Sequence, residues 1–258
     1  IEAIRDSLTF SNSDVMSWEE TAKRSGFLDE GGLDKVAYRS NDLFYEPIIE
    51  STPRVLCSIV VDQSASMSTT GMHAAKEISI AIAEATRGVK GVDLLVYIQS
   101  GGTECNIGRY ITLDTPYEDY HRLSFMPIGC HTYDGHTINA IGNELAGIDG
   151  YDRRMIFMIS DGEPSGSGYD GIEAYKHTSS VSKHLRNNLG VEVYGFGVNG
   201  AYDVSNSFKG KLAKSGIHGS NKGELLYGEG NAIAFEGFEV SEIVTKISTF
   251  LGHVCGKD

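Results

Sequence analysis

Three short stretches of this chain gather oxygen donors in patterns that suit a divalent cation. Asp62-Gln63-Ser64-Ala65-Ser66 is the first and Asp161-Gly162-Glu163 the last. Between them lies His131-Thr132-Tyr133-Asp134-Gly135-His136-Thr137. Carboxylates and hydroxyls are hard donors that favour Mg²⁺, with Mn²⁺ or Ca²⁺ as alternatives, over zinc. In an alternating Asp-x-Ser-x-Ser turn the carboxylate and both hydroxyls can face one point. Hydroxyls bind directly and carboxylates often through water, which leaves a coordination position open for a carboxylate from another molecule. Asp and Ser after a strand are also ordinary turn and cap residues. Two acidic loops at the ends of two apolar strands, with a hydroxyl loop between, favour the metal.

The segments around these loops alternate in type. Val55–Val61 is an apolar run rich in β-branched residues, as expected of a strand buried on both faces. Gly71–Arg87 carries Met72, Ala75, Ile78, Ile82 and Ala85 at helical spacing and stops at Gly88. Leu94–Gln99 and Arg109–Leu113 read as strands, and Ile138, Ile141, Leu145 and Ile148 stripe a helix. Met155–Ser160 is a second apolar strand, Gly171–Leu189 a long helix, and Val191–Val198 a third, mostly apolar strand. Ala232–Phe235 reads as a short strand and Val240–Leu251 as the closing helix. The pattern predicts an α/β fold, a doubly wound and mostly parallel central sheet flanked by helices, Rossmann-like in kind. In such sheets ligands gather outside the carboxyl ends of the strands, which is where the three loops fall.

Residues 1–54 lack that periodicity and hold the only tryptophan, Trp18. They are expected to be an approach segment packed on a main domain of residues 55–258. Within them Trp18–Val36 reads as two short helices broken at Gly31-Gly32. Residues 199–230, rich in Gly, Ser and Asn, read as a long loop with one short helix. Tyr117, Tyr120 and Phe125 are expected to pack a loop or helix against the sheet.

Composition narrows the function. With Lys+Arg 22 against Asp+Glu 35, a net charge of −13, the chain is a poor binder of nucleic acid or anionic lipid. No apolar run approaches the roughly 18 residues of a membrane span, and the N-terminus lacks a signal peptide's apolar core. Cys57, Cys105, Cys130 and Cys255 match no CxxC spacing and read as free thiols, so a cytoplasmic location is expected. The chain opens on Ile1 rather than Met and is expected to be a piece of a longer protein.

Other motifs carry less. Gly195-x-Gly197-x-x-Gly200 matches a dinucleotide fingerprint, but no amphipathic helix opens at Gly200. Val60-Val61-Asp62 could begin a phosphatase nucleophile loop, but the required second Asp is replaced by Ser64. His131 and His136, five apart in a loop, are a weak zinc signal. No Walker A loop or Gly-x-Ser-x-Gly elbow is present.

The order Asp62-x-Ser64-x-Ser66, a Thr about 70 residues on and an Asp-Gly about 30 after that resembles the metal-ion-dependent adhesion site (MIDAS) of von Willebrand factor type A (VWA) domains. The resemblance covers Val55 to about Leu251. It implies Mg²⁺ held by Ser64, Ser66 and a middle-loop residue, with Asp62 and Asp161 ligating directly or through water. In VWA domains the ligand Thr tends to lie six residues before the first buried aliphatic of its helix, here Thr132. Asp134, otherwise an N-cap or a carboxylate behind the ligands, and Thr137 are the alternatives.

A narrower similarity joins YDGHTINAIGNEL, DRRMIFMISDGEPSGSGYDGIEAYKHT and VEVYGFGV to the VWA region of the cobaltochelatase subunit CobT and its NorD relatives. The approach segment, with Gly-x-Leu-Asp before the first strand, extends it back to about Trp18. It departs from those proteins at Asn199–Gly230 and in its tyrosine content. That resemblance implies a non-catalytic subunit serving a AAA+ ATPase of the MoxR/CobS type, in cobalt insertion for cobalamin biosynthesis or in protein remodelling. A partner Asp or Glu would complete the metal site. The alternative is a metal-dependent phosphatase or hydrolase built on the same carboxylates.

Overall fold

The β-branched run at Val55 forms the centre of the sheet. In a computed structural model of the protein, residues 1–8, 17–18, 27–28, 44–45, 47–48, 53–198, 205–235 and 239–254 are described. The chain divides into two units, residues 1–9 with 53–258, and residues 10–52.

The larger unit holds six strands: β1 (Val55–Asp62), β2 (Val92–Gly101), β3 (Cys105–Ile111), β4 (Arg153–Ser160), β5 (Val191–Gly197) and β6 (Ala232–Ala234). Their spatial order is β6-β5-β4-β1-β2-β3, with only β3 antiparallel to its neighbour. Every residue of β1 is buried, because β2 and β4 flank its edges and helices cover both faces. The helices are α1 (Glu2–Leu8), α2 (Ser68–Thr86), α3 (Asp134–Ala146), α4 (Gly171–Leu189), α5 (Asn206–Ala213), α6 (Lys222–Tyr227) and α7 (Val240–Val254). The fold is therefore α/β, doubly wound and mostly parallel, as the alternation of apolar strands and helices predicts.

The strand order reverses at β1. From there the chain runs outward through β2 and β3, then returns to β4 on the other side of β1 and continues outward. The carboxyl ends of β1 and β4 thus form the crevice where such sheets bind ligands. On one face of the sheet, Ile138, Ile141 and Leu145 of α3 and Leu185 of α4 pack with Leu56, Val60, Ile156 and Val193. Ile148 lies past the end of α3 at Ala146, yet still packs against this core. On the other side of the unit, α1 packs on α2 and α7; Ile4 is fully buried, and Arg5 Nη2 donates to the Glu84 carbonyl at 2.9 Å.

Two expectations are corrected. Residues 205–230 hold two helices rather than one, because Ser and Asn that read as loop are caps. Ser205 accepts from the Phe208 amide at 3.3 Å and Asn221 from the Glu224 amide at 2.9 Å. Residues 199–204 lie outside the described residues. In the smaller unit, Ser17–Trp18 pairs antiparallel with Pro47–Ile48 and Phe27–Leu28 with Phe44–Tyr45. Trp18 and Phe27–Leu28 are thus extended rather than helical, since cross-strand ladders satisfy their backbone; the rest of that helical expectation falls outside the described residues. As expected, the 3₁₀ stretch Tyr117–Phe125 packs against the sheet, at its edge strand β3, and it also packs on α2. The Tyr117 hydroxyl bonds Glu84, Arg87 lies 3.9 Å over its ring, and Phe125 is left 71% exposed. Among the described residues, no helix is long and apolar enough to cross a membrane.

The α3–α4 contact depends on one missing side chain. A Cβ on Gly142 would stand 2.5 Å from a methyl of buried Leu185. Gly142→Val should cost about 1–3 kcal/mol by overpacking. Combined with Leu185→Ala, the loss should be less than the sum of the two single losses. Urea unfolding of the four proteins checks this, and strict additivity would show that the helices do not meet there.

Candidate functional site

The crevice between β1 and β4 receives all three loops. Asp62 ends β1, and Ser64 to Met67 turn the chain into α2. That turn is strained at Ser68, whose φ of +55° is a backbone setting side chains rarely adopt. Asp161 directly follows β4. The middle loop is stapled between the other two. His131 bridges Gly101 at the end of β2, and Thr132 exchanges backbone hydrogen bonds with Ser165 at 3.0 and 3.2 Å. The first loop is tied in as well, by Ala65 N–H to the Cys130 carbonyl at 2.9 Å and Gly129 N–H to the Gln63 carbonyl at 2.5 Å.

The side chains form two linked webs. In the first, Asp62 accepts from the Ser64 amide at 2.8 Å and the Ser64 hydroxyl at 2.9 Å, and the Ser64 and Ser66 hydroxyls lie 3.0 Å apart. The exposed Ser66 hydroxyl also bonds Asp161, which accepts from the Glu163 amide at 3.1 Å. In the second, Gln99 Nε2 donates to Thr132 Oγ1 at 2.5 Å and to Asp134 Oδ1 at 2.7 Å. Thr132 Oγ1 donates to the same Asp134 oxygen at 2.6 Å, and Thr137 Oγ1 donates to Gln99 Oε1 at 2.5 Å. Asp134 Oδ2 is buried with no hydrogen-bond partner among the described residues.

Asp62, Ser64, Thr132, Asp134 and Asp161 are therefore brought together, with Ser66 at the solvent edge. Thr137 instead turns toward Gln99 and Cys105 Sγ, the latter at 3.3 Å, and supports the web from behind. Gln99 is the member that sequence reasoning missed. Its one signal is an amide closing an otherwise apolar strand.

Electrostatics oppose this arrangement. Burial pushes the Asp62 carboxyl well above its ordinary range, and the nearby charges of Asp134 and Asp161 push it further. Burial likewise lifts Asp134 to about 6 against the hydrogen bonds from Thr132 and Gln99, and it raises Asp161. Lys222, the cation nearest the third loop, is engaged by Glu163. Among the described residues, no group of three or more His, Cys, Asp and Glu is placed to hold a metal by itself. A cation here would need the hydroxyls as well as the carboxylates.

The fold defines a class, the Rossmann-like α/β fold with a mostly parallel sheet. No protein-family model and no curated protein matches the chain. Among solved structures, the pilus adhesin SpaC from Lactobacillus rhamnosus GG aligns over 81% of this chain and 31% of its own, at 14% identity and TM-score 0.55. Proximal thread matrix protein 1 from the mussel byssus aligns over 79% and 46%, at 13% identity and TM-score 0.54. A von Willebrand factor type A protein from Catenulispora acidiphila covers 80% of this chain and 44% of its own, at 13% identity and TM-score 0.48. The chain thus spans less than half the length of each. At these identities the likeness is one of fold alone.

Two outcomes follow from the webs. Asp134, lifted to about 6, keeps in the folded chain a proton that the unfolded chain has already lost, so it lowers stability as pH rises from ~4 to ~6. The raised carboxyls of Asp62 and Asp161 act in the same direction. Asp134→Asn keeps an Oδ1 acceptor and removes the charge. In EDTA it should be more stable than the wild type by about 1–3 kcal/mol at pH 7, with the difference vanishing near pH 4. Urea titrations at both pH values test this; a less stable variant at pH 7 would refute the repulsion. Gln99→Leu should instead destabilise by about 2–4 kcal/mol, since it strips partners from buried Thr132, Thr137 and Asp134.

Proposed function

We propose that this chain is a non-catalytic interaction module in which Ser64, Ser66 and Thr132 hold Mg²⁺ directly, with Asp62 and Asp161 binding directly or through water. The observation that carries the reading is three buried carboxylates turned on one crevice, their pKa values raised, with Asp134 Oδ2 left unpartnered. Buried carboxylates in mutual repulsion call for a cation, and the donors here are hard oxygens. Thr132 is preferred over Asp134 and Thr137 as the middle ligand. Its hydroxyl proton goes to Asp134 and one lone pair to Gln99, so a second lone pair is free. Asp134 then sits behind it, and Thr137 is turned away.

Bound there, Mg²⁺ would supply a Lewis-acidic position open to a partner's Asp or Glu. The chain's own part is to orient neutral hydroxyls, so that more of the cation's charge remains for that carboxylate than among carboxylates alone. The fold is one it shares with a pilus adhesin, which accords with a binding role. The narrower motif likeness favours a AAA+ ATPase of the MoxR/CobS type as partner, in a cobaltochelatase-like or other remodelling complex.

Calorimetric titration should show one Mg²⁺ bound by the wild type and at least a tenfold weaker fit for Ser64→Ala and for Asp161→Ala. A AAA+ subunit should co-purify with the Mg²⁺-loaded chain and be lost in EDTA or with Asp161→Ala. Equal Mg²⁺ affinity in all three proteins would sink the metal assignment, and Mg²⁺-dependent phosphatase turnover abolished by Asp62→Asn would replace the interaction reading with a hydrolase.

A further inference from the structure

The weak histidine signal of the middle loop resolves differently from its sequence spacing. His136, in the first turn of α3, meets His177, in the second turn of α4, with ring centroids 4.6 Å apart and planes inclined at 45°. The two lie 41 positions apart in sequence. We propose that His136 and His177 form a second cation site, distinct from the oxygen-lined crevice, that takes a borderline-soft divalent ion such as Zn²⁺. This inference does not depend on the Mg²⁺ reading.

The geometry is that of two imidazoles able to share one ion. With Zn–N bonds of about 2.0–2.1 Å and a tetrahedral angle, two ligating rings have centroids roughly 5 Å apart. The observed 4.6 Å lies close to that value, and the exposed His136 ring makes no hydrogen bond among the described residues that would hold it in place.

The His177 ring is already oriented. The Tyr169 hydroxyl lies 3.1 Å from its Nδ1 and accepts the Gly135 amide N–H at 3.1 Å. The same hydroxyl can place its own proton on the Ala174 carbonyl at 3.4 Å or on Thr178 Oγ1 at 2.9 Å. Its second lone pair is then free to accept Nδ1–H, which leaves Nε2 as the bare nitrogen. A ligating histidine held through its other ring nitrogen is the usual support for a metal. Burial and the neighbouring His136 lower the His177 pKa, so the neutral, metal-binding imidazole prevails near pH 7.

Nitrogen donors select Zn²⁺, Ni²⁺ or Cu²⁺ over the hard ions that suit hydroxyls. Water would fill the remaining positions, which keeps the site moderate in affinity. Such an ion would tie the first turn of α3 to α4. Asp134 opens α3, so the tie would reach the loop that carries Thr132.

The test is Zn²⁺ binding by competition with a chromophoric chelator, in excess Mg²⁺ so that the oxygen site is occupied by the harder ion. His136→Ala and His177→Gln should each weaken binding at least tenfold, while His131→Ala should bind as the wild type does. Because Gln can still bond Tyr169, His177→Gln guards against a folding defect. Electron paramagnetic resonance of a Cu²⁺-loaded sample should show coupling to two nitrogens in the wild type and one in either variant. Wild-type Zn²⁺ affinity in both variants, loss of binding in His131→Ala, or a Cu²⁺ spectrum unchanged by the substitutions would each overturn the proposal.

Discussion

Three carboxylates buried at one end of a sheet are the constraint around which the rest of this protein is arranged. Asp62, Asp134 and Asp161 are at most 4% exposed, and each has its charged form opposed by burial. Removing an ion from water costs several kcal/mol even after relaxation, so these positions need compensation. Topology leaves little choice about where they fall. Asp62 and Asp161 end neighbouring parallel strands whose pairing is fixed by apolar packing on both faces. Their convergence is therefore a by-product of forming the core, and hydrogen bonds meet only part of the electrostatic cost.

Those hydrogen bonds also decide which atoms remain free. Gln99 has its amide orientation set, because Thr137 donates to Oε1 and both Nε2 protons are directed at Thr132 and Asp134. The Thr132 proton then has one acceptor, Asp134 Oδ1. This proton count leaves one lone pair on Thr132 and all of Asp134 Oδ2 unspent. A buried web so nearly satisfied is rigid, and its unspent oxygens are Thr132 Oγ1 and Asp134 Oδ2. Backbone bridges from the middle loop to Gly101 and Ser165 hold the donors still without drawing on their side chains. A site built this way loses little conformational entropy on binding.

How much of this the sequence discloses follows from the range of each interaction. Strands buried on both faces are legible because apolar runs such as Val55–Val61 need no partner to be recognised. The Asp62-x-Ser64-x-Ser66 turn is legible because its donors are local. Gln99 is not, since one amide at a strand end acquires meaning only when Thr132, Asp134 and Thr137 are folded over it. The helices at Asn206 and Lys222 are hidden for a related reason: their caps, Ser205 and Asn221, are the residue types that also mark loops. Sequence proximity pairs His136 with His131, but His131 bridges Gly101 while the ring of His136 packs on His177. Only the packing of α3 on α4 could reveal His177 as its neighbour.

That packing links the two ends of the candidate site to the scaffold in a way neither web does alone. Gly135 has no room for a Cβ, which would stand 2.5 Å from both His177 Nδ1 and the Tyr169 hydroxyl. Its amide is held by that hydroxyl, and its neighbour Asp134 is held by Gln99. The start of α3 is thus gripped from one side by α4 and from the other by β2, with Thr132 and Ser165 joining it to the third loop. The second turn of α4 thus presses on Gly135, whose neighbour Asp134 is bonded to Gln99 and Thr132. Packed cores shift between discrete arrangements rather than deform smoothly. Gly135 is therefore one link between the α3–α4 contact at His136 and His177 and the oxygen donors, and the Tyr175 hydroxyl of α4, which donates to the Gly162 carbonyl of the third loop at 2.6 Å, is another.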